Sequence, residues 1–190
     1  WSSEVTTSPG NQRRGEANNS GDILETALIL GKWGYTGCYH DAERILRCHL
    51  LPSQLRDITF IIDPPNPHGE DGLRNVADRH LGAWRFPAPY GHRQPEQEHV
   101  SFNMDIVGGV VGSLCEAYRQ AACRDAMGIR VNLLFDHETA DIRVESPYPH
   151  GVFRVTPRQS APLWVRMPPW AEPAAPAGSR RIGAYLYFAS

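Results

Sequence analysis

The feature that most constrains this chain is a change of apolar period at Met127-Gly128. Before it, apolar residues recur every three or four positions, the spacing of a helix face. After it they recur every second position, the spacing of a half-buried strand. Ile129, Val131, Leu133 and Phe135 alternate with Arg130, Asn132 and Leu134. His137-Glu-Thr-Ala140 reads as a turn, and Ile142 and Val144 then alternate with Asp141, Arg143 and Glu145, so the pattern predicts a hairpin. Further strands are expected at residues 152–156, 163–167 and 184–189. The fold class is therefore α+β. A domain boundary falls near residue 126, with a helical part over residues 1–126 and an incomplete antiparallel β domain over 127–190.

The helical part reads as three helices. Ser20 or Asp22 caps the first, which runs from Ile23 to about Lys32. Its two rows, Ile23, Ala27, Leu30 and Leu24, Leu28, Gly31, predict a helix buried on most sides. The turn Gly34-Tyr-Thr-Gly37 leads to a second helix, from Tyr39 to Leu51, which Pro52 either ends or kinks into Ser53-Gln54-Leu55. Together they form a helical hairpin. The third runs from Asn103 to Gln120, with Phe102, Ile106, Val110, Leu114 and Tyr118 as its buried stripe. Between the second and third lie a short strand at 58–62 and a long loop from Asp63 to Ser101. Loops beyond about 15 residues are uncommon in compact domains unless they work or are disordered. Trp84, Phe86 and Tyr90 speak against disorder here.

Composition excludes several classes. Of 190 residues, 41% are apolar and 21% charged, and the net charge is -2 with the signs interleaved, which gives no electrostatic footprint for nucleic acid or an anionic membrane. No apolar run is long enough to span a bilayer. The sequence begins with Trp and carries no leader-like segment, so it reads as a piece of a longer protein, and the compartment stays open. The four cysteines, Cys38, Cys48, Cys115 and Cys123, form no C-x-x-C pair and read as free thiols buried as small apolar groups. Serine-nucleophile, phosphate-loop and dinucleotide motifs are absent.

Two polar constellations precede helices. Arg13-Arg14-Gly-Glu16-Ala-Asn18-Asn-Ser-Gly-Asp22 gathers guanidinium, carboxylate and amide groups, which recognise sugar hydroxyls or simply cap a helix. The stretch Asp78-Arg-His80, Trp84, Tyr90-Gly-His92, His99 to Asn103-Met-Asp105 mixes aromatic faces with imidazoles and carboxylates. It suits stacking on sugar rings. It lacks the compact spacing of a metal site. Glycosidic cleavage needs two carboxyl groups about 5 to 10 Å apart. Glu16 and Asp105 are the one pair to nominate, although Asp105 also suits the positive end of its own helix. The third helix carries Gly108, Gly109 and Gly112 near its start, at about 1 kcal/mol each against alanine. Either a neighbouring backbone comes close there or the glycines open a hollow.

The order of these parts resembles the C-terminal half of the bacterial β-L-arabinofuranosidase family of glycoside hydrolases. The residues that carry the likeness are Asp41-Ala-Glu-Arg-Ile-Leu-Arg-Cys-His-Leu-Leu, Val131-Asn-Leu-Leu134, Val165-Arg-Met-Pro-Pro-Trp170 and Gly183-Ala-Tyr-Leu-Tyr187. The resemblance implies the last hairpins of an (α/α)6 toroid followed by the start of an antiparallel β-sandwich. The rest of the toroid, N-terminal to this stretch, would then be a partner within the same protein. That family holds a nucleophilic cysteine on zinc through a Glu-x-Cys segment and a Cys-Cys pair. Here Glu16-Ala-Asn18 and Gly108-Gly109 stand in those places, so the thiolate–zinc chemistry does not carry over and no cofactor or resident metal is expected. What remains is a carbohydrate-active protein, a glycosidase using Glu16 and Asp105, or a sugar-binding relative without turnover. Arg14, Asn18, His80, Trp84, Tyr90, His99, Asn103, Gly108 and Gly109 are the candidate substrate contacts. By itself the chain is expected to leave an apolar sheet edge or face uncovered.

Overall fold

The computed structural model describes residues 17–59, 61–84, 104–147, 151–171 and 176–189, and of residues 104–107 the backbone alone. Both helices and sheets are present, as the change of period predicts. The chain divides into two compact units, Trp1–Leu24 with Arg44–Ser113, and Glu25–Glu43 with Leu114–Ser190.

Helix α1 spans Ala17–Lys32, α2 Cys38–Ile45 and α4 Met104–Ala121, with the short α3 at Val76–His80. Helix α1 starts six residues before the expected Ile23, so Ser20 and Asp22 lie inside it rather than capping it. Its Leu24 and Leu28 are buried, but Ile23, Ile29 and Leu30 are exposed, which corrects the expectation of burial on most sides. After Ile45 the second helix widens into a π turn, Leu46–Leu50, closed by the Leu51 amide donating to the Leu46 carbonyl at 3.0 Å. Pro52 has no N–H to continue an α-helical ladder, and the wider turn ends the helix at that point. On α4 the buried positions are Val110, Ser113, Ala117, Gln120 and Ala121, while Tyr118 is 60% exposed. Of the expected row, Phe102 and the Ile106 side chain lie outside the described residues, Val110 is buried and Leu114 half-buried, so among the described side chains the buried face includes smaller residues beside that row.

The first unit closes around Leu24, Leu46, Leu50, Leu55, Trp84 and Val110. Its long connection is more structured than a loop. Asn66 binds the Glu70 backbone in both directions, Asp63 accepts the Ala77 amide at 2.8 Å, and a 3-10 turn, Asp71–Leu73, leads into α3. No strand forms at 58–59 or 61–62. The Asp57 carboxylate takes the Thr59 amide at 2.9 Å and its hydroxyl at 2.6 Å, and the Ile61 amide turns back to the Ile58 carbonyl. A side-chain acceptor two residues upstream bends the backbone away from an extended ladder.

The second unit holds two sheets. Strands β1 (Ala122–Asp125), β2 (Gly128–Val131), β6 (Leu163–Arg166), β7 (Ser179–Ile182) and β8 (Tyr185–Phe188) form a sheet in the order β1-β2-β6-β8-β7. Strands β3 (His137–Glu138), β4 (Ile142–Glu145) and β5 (Arg154–Pro157) form the other. The expected hairpin between 129–135 and 142–144 is not made. Strand β2 pairs antiparallel with β1 and parallel with β6, and the chain between them builds the second sheet before it returns. The parallel pair also departs from an all-antiparallel arrangement, since only a long excursion can bring a strand back in the same direction. Gly128 permits the join. Its φ of +120° disfavours side chains, and a Cβ there would collide with the Pro162 carbonyl.

The inner face of the five-stranded sheet supplies Ala122, Ile129, Val131, Leu163 and Val165 to one core with Ile142 and Val144 of the smaller sheet. An apolar cleft of about 660 Å³ opens beside it, lined by Phe153, Val155, Leu163, Leu186 and Phe188.

Candidate functional site

The two segments singled out before α1 and α4 meet. Asn18 lies in the first turn of α1, and a Cβ built on Gly109 of α4 would stand 3.3 Å from its Cβ. One turn further along α1, a Cβ on Gly21 would come within 2.5 Å of the Ser113 hydroxyl. That hydroxyl donates to the Gly109 carbonyl at 2.9 Å. The helices therefore cross through small residues, and Gly109 and Gly21 are explained by close approach. Gly108 and Gly112 meet nothing within 4 Å and are exposed, so packing accounts for only part of the glycine cluster. The amides of Gly108 and Gly109 are not loose donors. They are the fifth and sixth residues of α4, past the four whose N–H groups a helix leaves unpaired.

Asn18 Oδ1 is buried and accepts no hydrogen bond among the described residues. A buried amide oxygen without a donor costs about 1–3 kcal/mol, and a ligand hydroxyl would satisfy it.

The other candidates separate. Arg14, Glu16, Tyr90, His99 and Asn103 lie outside the described residues, as does the side chain of Asp105. Trp84 is only 6% exposed, and its indole N–H donates to the Leu50 carbonyl at 2.8 Å. It anchors the connection to the π turn, assisted by Leu55 bonding to Ala83 and Gly82, instead of offering a face to a sugar. Its aromatic character alone could not tell these roles apart. His80 ends α3 and is half-buried, which holds its pKa below the ordinary histidine value.

All four cysteines are free, but Cys48 and Cys115 are exposed and Cys38 and Cys123 half-buried, so none behaves as a fully buried apolar group. Among the described residues no group of His, Cys, Asp or Glu is arranged to hold a metal ion, and no helix is long and apolar enough to cross a membrane.

A different polar centre went unnoticed in the sequence. Arg166 is 2% exposed, and its guanidinium bonds to the Glu43 carboxylate and the Asn132 carbonyl. Glu43 also accepts the Leu134 amide at 3.3 Å. Asn132 receives the Tyr185 hydroxyl at 2.7 Å and donates to the Gln120 carbonyl at 3.0 Å. Burial pushes the Tyr185 phenol up to about 12 and keeps it a donor. The signal was the polar half of the strand alternation, Asn132 and Arg166, which bonds to residues of α4 and α2 instead of facing solvent.

No protein-family model matches the chain, and neither a curated protein nor a solved structure matches it.

Proposed function

We propose that this chain belongs to a carbohydrate-active protein, a glycosidase-type enzyme whose helical part closes an (α/α)6 toroid and whose β part begins a sandwich. The contact between Asn18 and Gly109 supports this reading most. These residues occupy the places where the resembled family keeps its zinc-binding and nucleophilic cysteines. Two segments 91 positions apart pack together at Gly109, and the buried Asn18 amide oxygen with no donor among the described residues supports a site beside that crossing. The exposed Ile23, Ile29 and Leu30 of α1 suit a helix with further helical neighbours.

Without thiolates the chemistry falls to carboxyl groups. Glu16 lies two positions before Asn18, and Asp105 one helical turn before Gly109. Glu16 serves as general acid or base and Asp105 as its partner, on an oxocarbenium-like transition state. Asn18 positions a sugar hydroxyl. A panel of aryl glycosides given to the protein tests this. Glu16→Gln should lower kcat by about 10²-fold or more. Unchanged turnover removes the catalytic assignment, and saccharide binding without turnover in the native protein makes it a sugar-binding relative.

A further inference from the structure

The second unit contains a polar cleft of about 660 Å³ that the proposed activity does not use. It is lined by Tyr118 of α4, by Asp136, His137 and Glu138 at β3, and by Arg143 and Arg154 of β4 and β5. His137 is 6% exposed, yet its ring nitrogens hydrogen-bond to no described residue. Among the described residues its ring contact is with Tyr118, 4.5 Å away between centroids and tilted by 54°. Burial lowers the His137 pKa, so the imidazole is neutral near pH 7 and offers one donor and one acceptor.

Charge in the cleft is balanced. Arg143 pairs with Glu145 at 3.0 Å, and Glu138 pairs with Arg158. Asp136 accepts the Ser146 amide at 2.6 Å, and among the described residues Arg154 makes no ion pair. Three carboxylates and two guanidinium groups line the cleft, and Arg158 pairs with Glu138 from outside the lining, so no excess charge favours a phosphate or a cation. The cleft offers one exposed aromatic face with donors and acceptors interleaved around it. The tilt between Tyr118 and His137 leaves no parallel slot for a flat base. A sugar ring fits this description: its C–H face rests on a phenol ring and its hydroxyls both give and accept hydrogen bonds.

We infer that the cleft between Tyr118, His137 and Arg154 is a glycan-binding subsite that takes a neutral glycosyl residue. It lies in a different compact unit from Asn18 and Gly109 and stands without the proposed catalytic reading.

The test follows the His137 ring proton by NMR while the methyl glycosides of L-arabinose, D-galactose and D-glucose are titrated into the protein, with inorganic phosphate in parallel. A saturable shift with at least one glycoside, and none with phosphate, is expected. Tyr118→Ala should weaken that binding by about tenfold or more, since aromatic contacts carry about this share. Tyr118→Phe, which keeps the ring, should retain most of it. Tyr118 is mostly exposed, so its removal leaves the fold intact. Asn18→Leu should leave the His137 shift unchanged, which separates failure here from failure of the proposed active site. No shift with any glycoside, a shift with phosphate alone, or binding indifferent to Tyr118→Ala overturns the assignment.

Discussion

Two buried polar groups in this protein are treated in opposite ways. In the second unit, Arg166, Glu43, Asn132 and Tyr185 are bonded to one another and to nearby backbone. In the first, Asn18 Oδ1 is buried with no donor among the described residues. Burial is common to both, and satisfaction separates them. A closed network fixes the geometry of the sheet and helices that supply it, whereas an open acceptor beside a glycine is where an outside hydroxyl gains most.

The largest expected effect is at the closed network. Glu43→Leu leaves the Arg166 guanidinium buried without its carboxylate and should cost about 3–5 kcal/mol in denaturant unfolding. Removing both groups, Glu43→Leu with Arg166→Leu, should cost less than the two single changes together, because the pair is coupled. Additive losses would mean that the ion pair is not the centre of the network.

Next is the helix crossing. Gly21→Ala drives a methyl group into Ser113 and should destabilise by about 1–3 kcal/mol. Ser113→Ala should restore part of that loss. A neutral Gly21→Ala would show that α1 and α4 are further apart than Asn18 and Gly109 imply.

Asn18→Leu sharpens the contrast. It removes an unsatisfied acceptor, so unfolding stability should hold within about 0.5 kcal/mol or rise. Turnover or saccharide binding at the site should fall about tenfold, as for a lost hydrogen bond. A stability loss as large as that of Glu43→Leu would place Asn18 with the closed groups.

Smaller still is a pH effect shared by both units. Burial holds the pKa values of His49, His80 and His137 below the ordinary value of about 6.5. Below that pH the unfolded chain binds protons that the folded chain refuses, so stability is full above it and falls as pH drops toward the folded values. The melting temperature should decline from pH 7.5 to pH 5, and His137→Gln should flatten the slope. The least effect is chemical. Burial pushes the Cys123 thiol up, so iodoacetamide near pH 8 should label the exposed Cys48 and Cys115 well before it.

The helices were legible because α1, α2 and α4 carry three-to-four spacing over many residues, and the strands β4, β5, β6 and β8 because their period is two. Which strand joins which was not. Ile129 and Val131 alternate in the same way whether they pair with Ile142 and Val144 or with Leu163 and Val165, and only the long return of the chain decides. The strands β1 and β7 were missed. Ala122–Asp125 follows α4 directly, and Ser179–Ile182 is mostly polar, so neither shows an apolar alternation. Of the candidate site, Asn18 and Gly109 were joined only through the family resemblance, and the structure shows the two side by side, while Glu16 and the Asp105 side chain lie outside the described residues. Trp84 misled because a buried anchor and a stacking platform share one side chain. The cleft at His137 was hidden because its turn reading concealed a strand, and because Tyr118 looked like core.

The sheet order also sets a clock for folding. Strand β8 comes last in chain order, yet it lies between β6 and β7, at the interior of the larger sheet. During synthesis, β1 and β2 can pair as soon as they emerge. The β6 edge must wait until residues 185–188 are made, and until then Leu163 and Val165 lack their Phe188 and Leu186 neighbours. Pairings that close late are slow and leave apolar edges open to other chains. A nascent chain of this protein therefore passes through a window in which its most β-prone edge is bare, and that window closes only with the last strand.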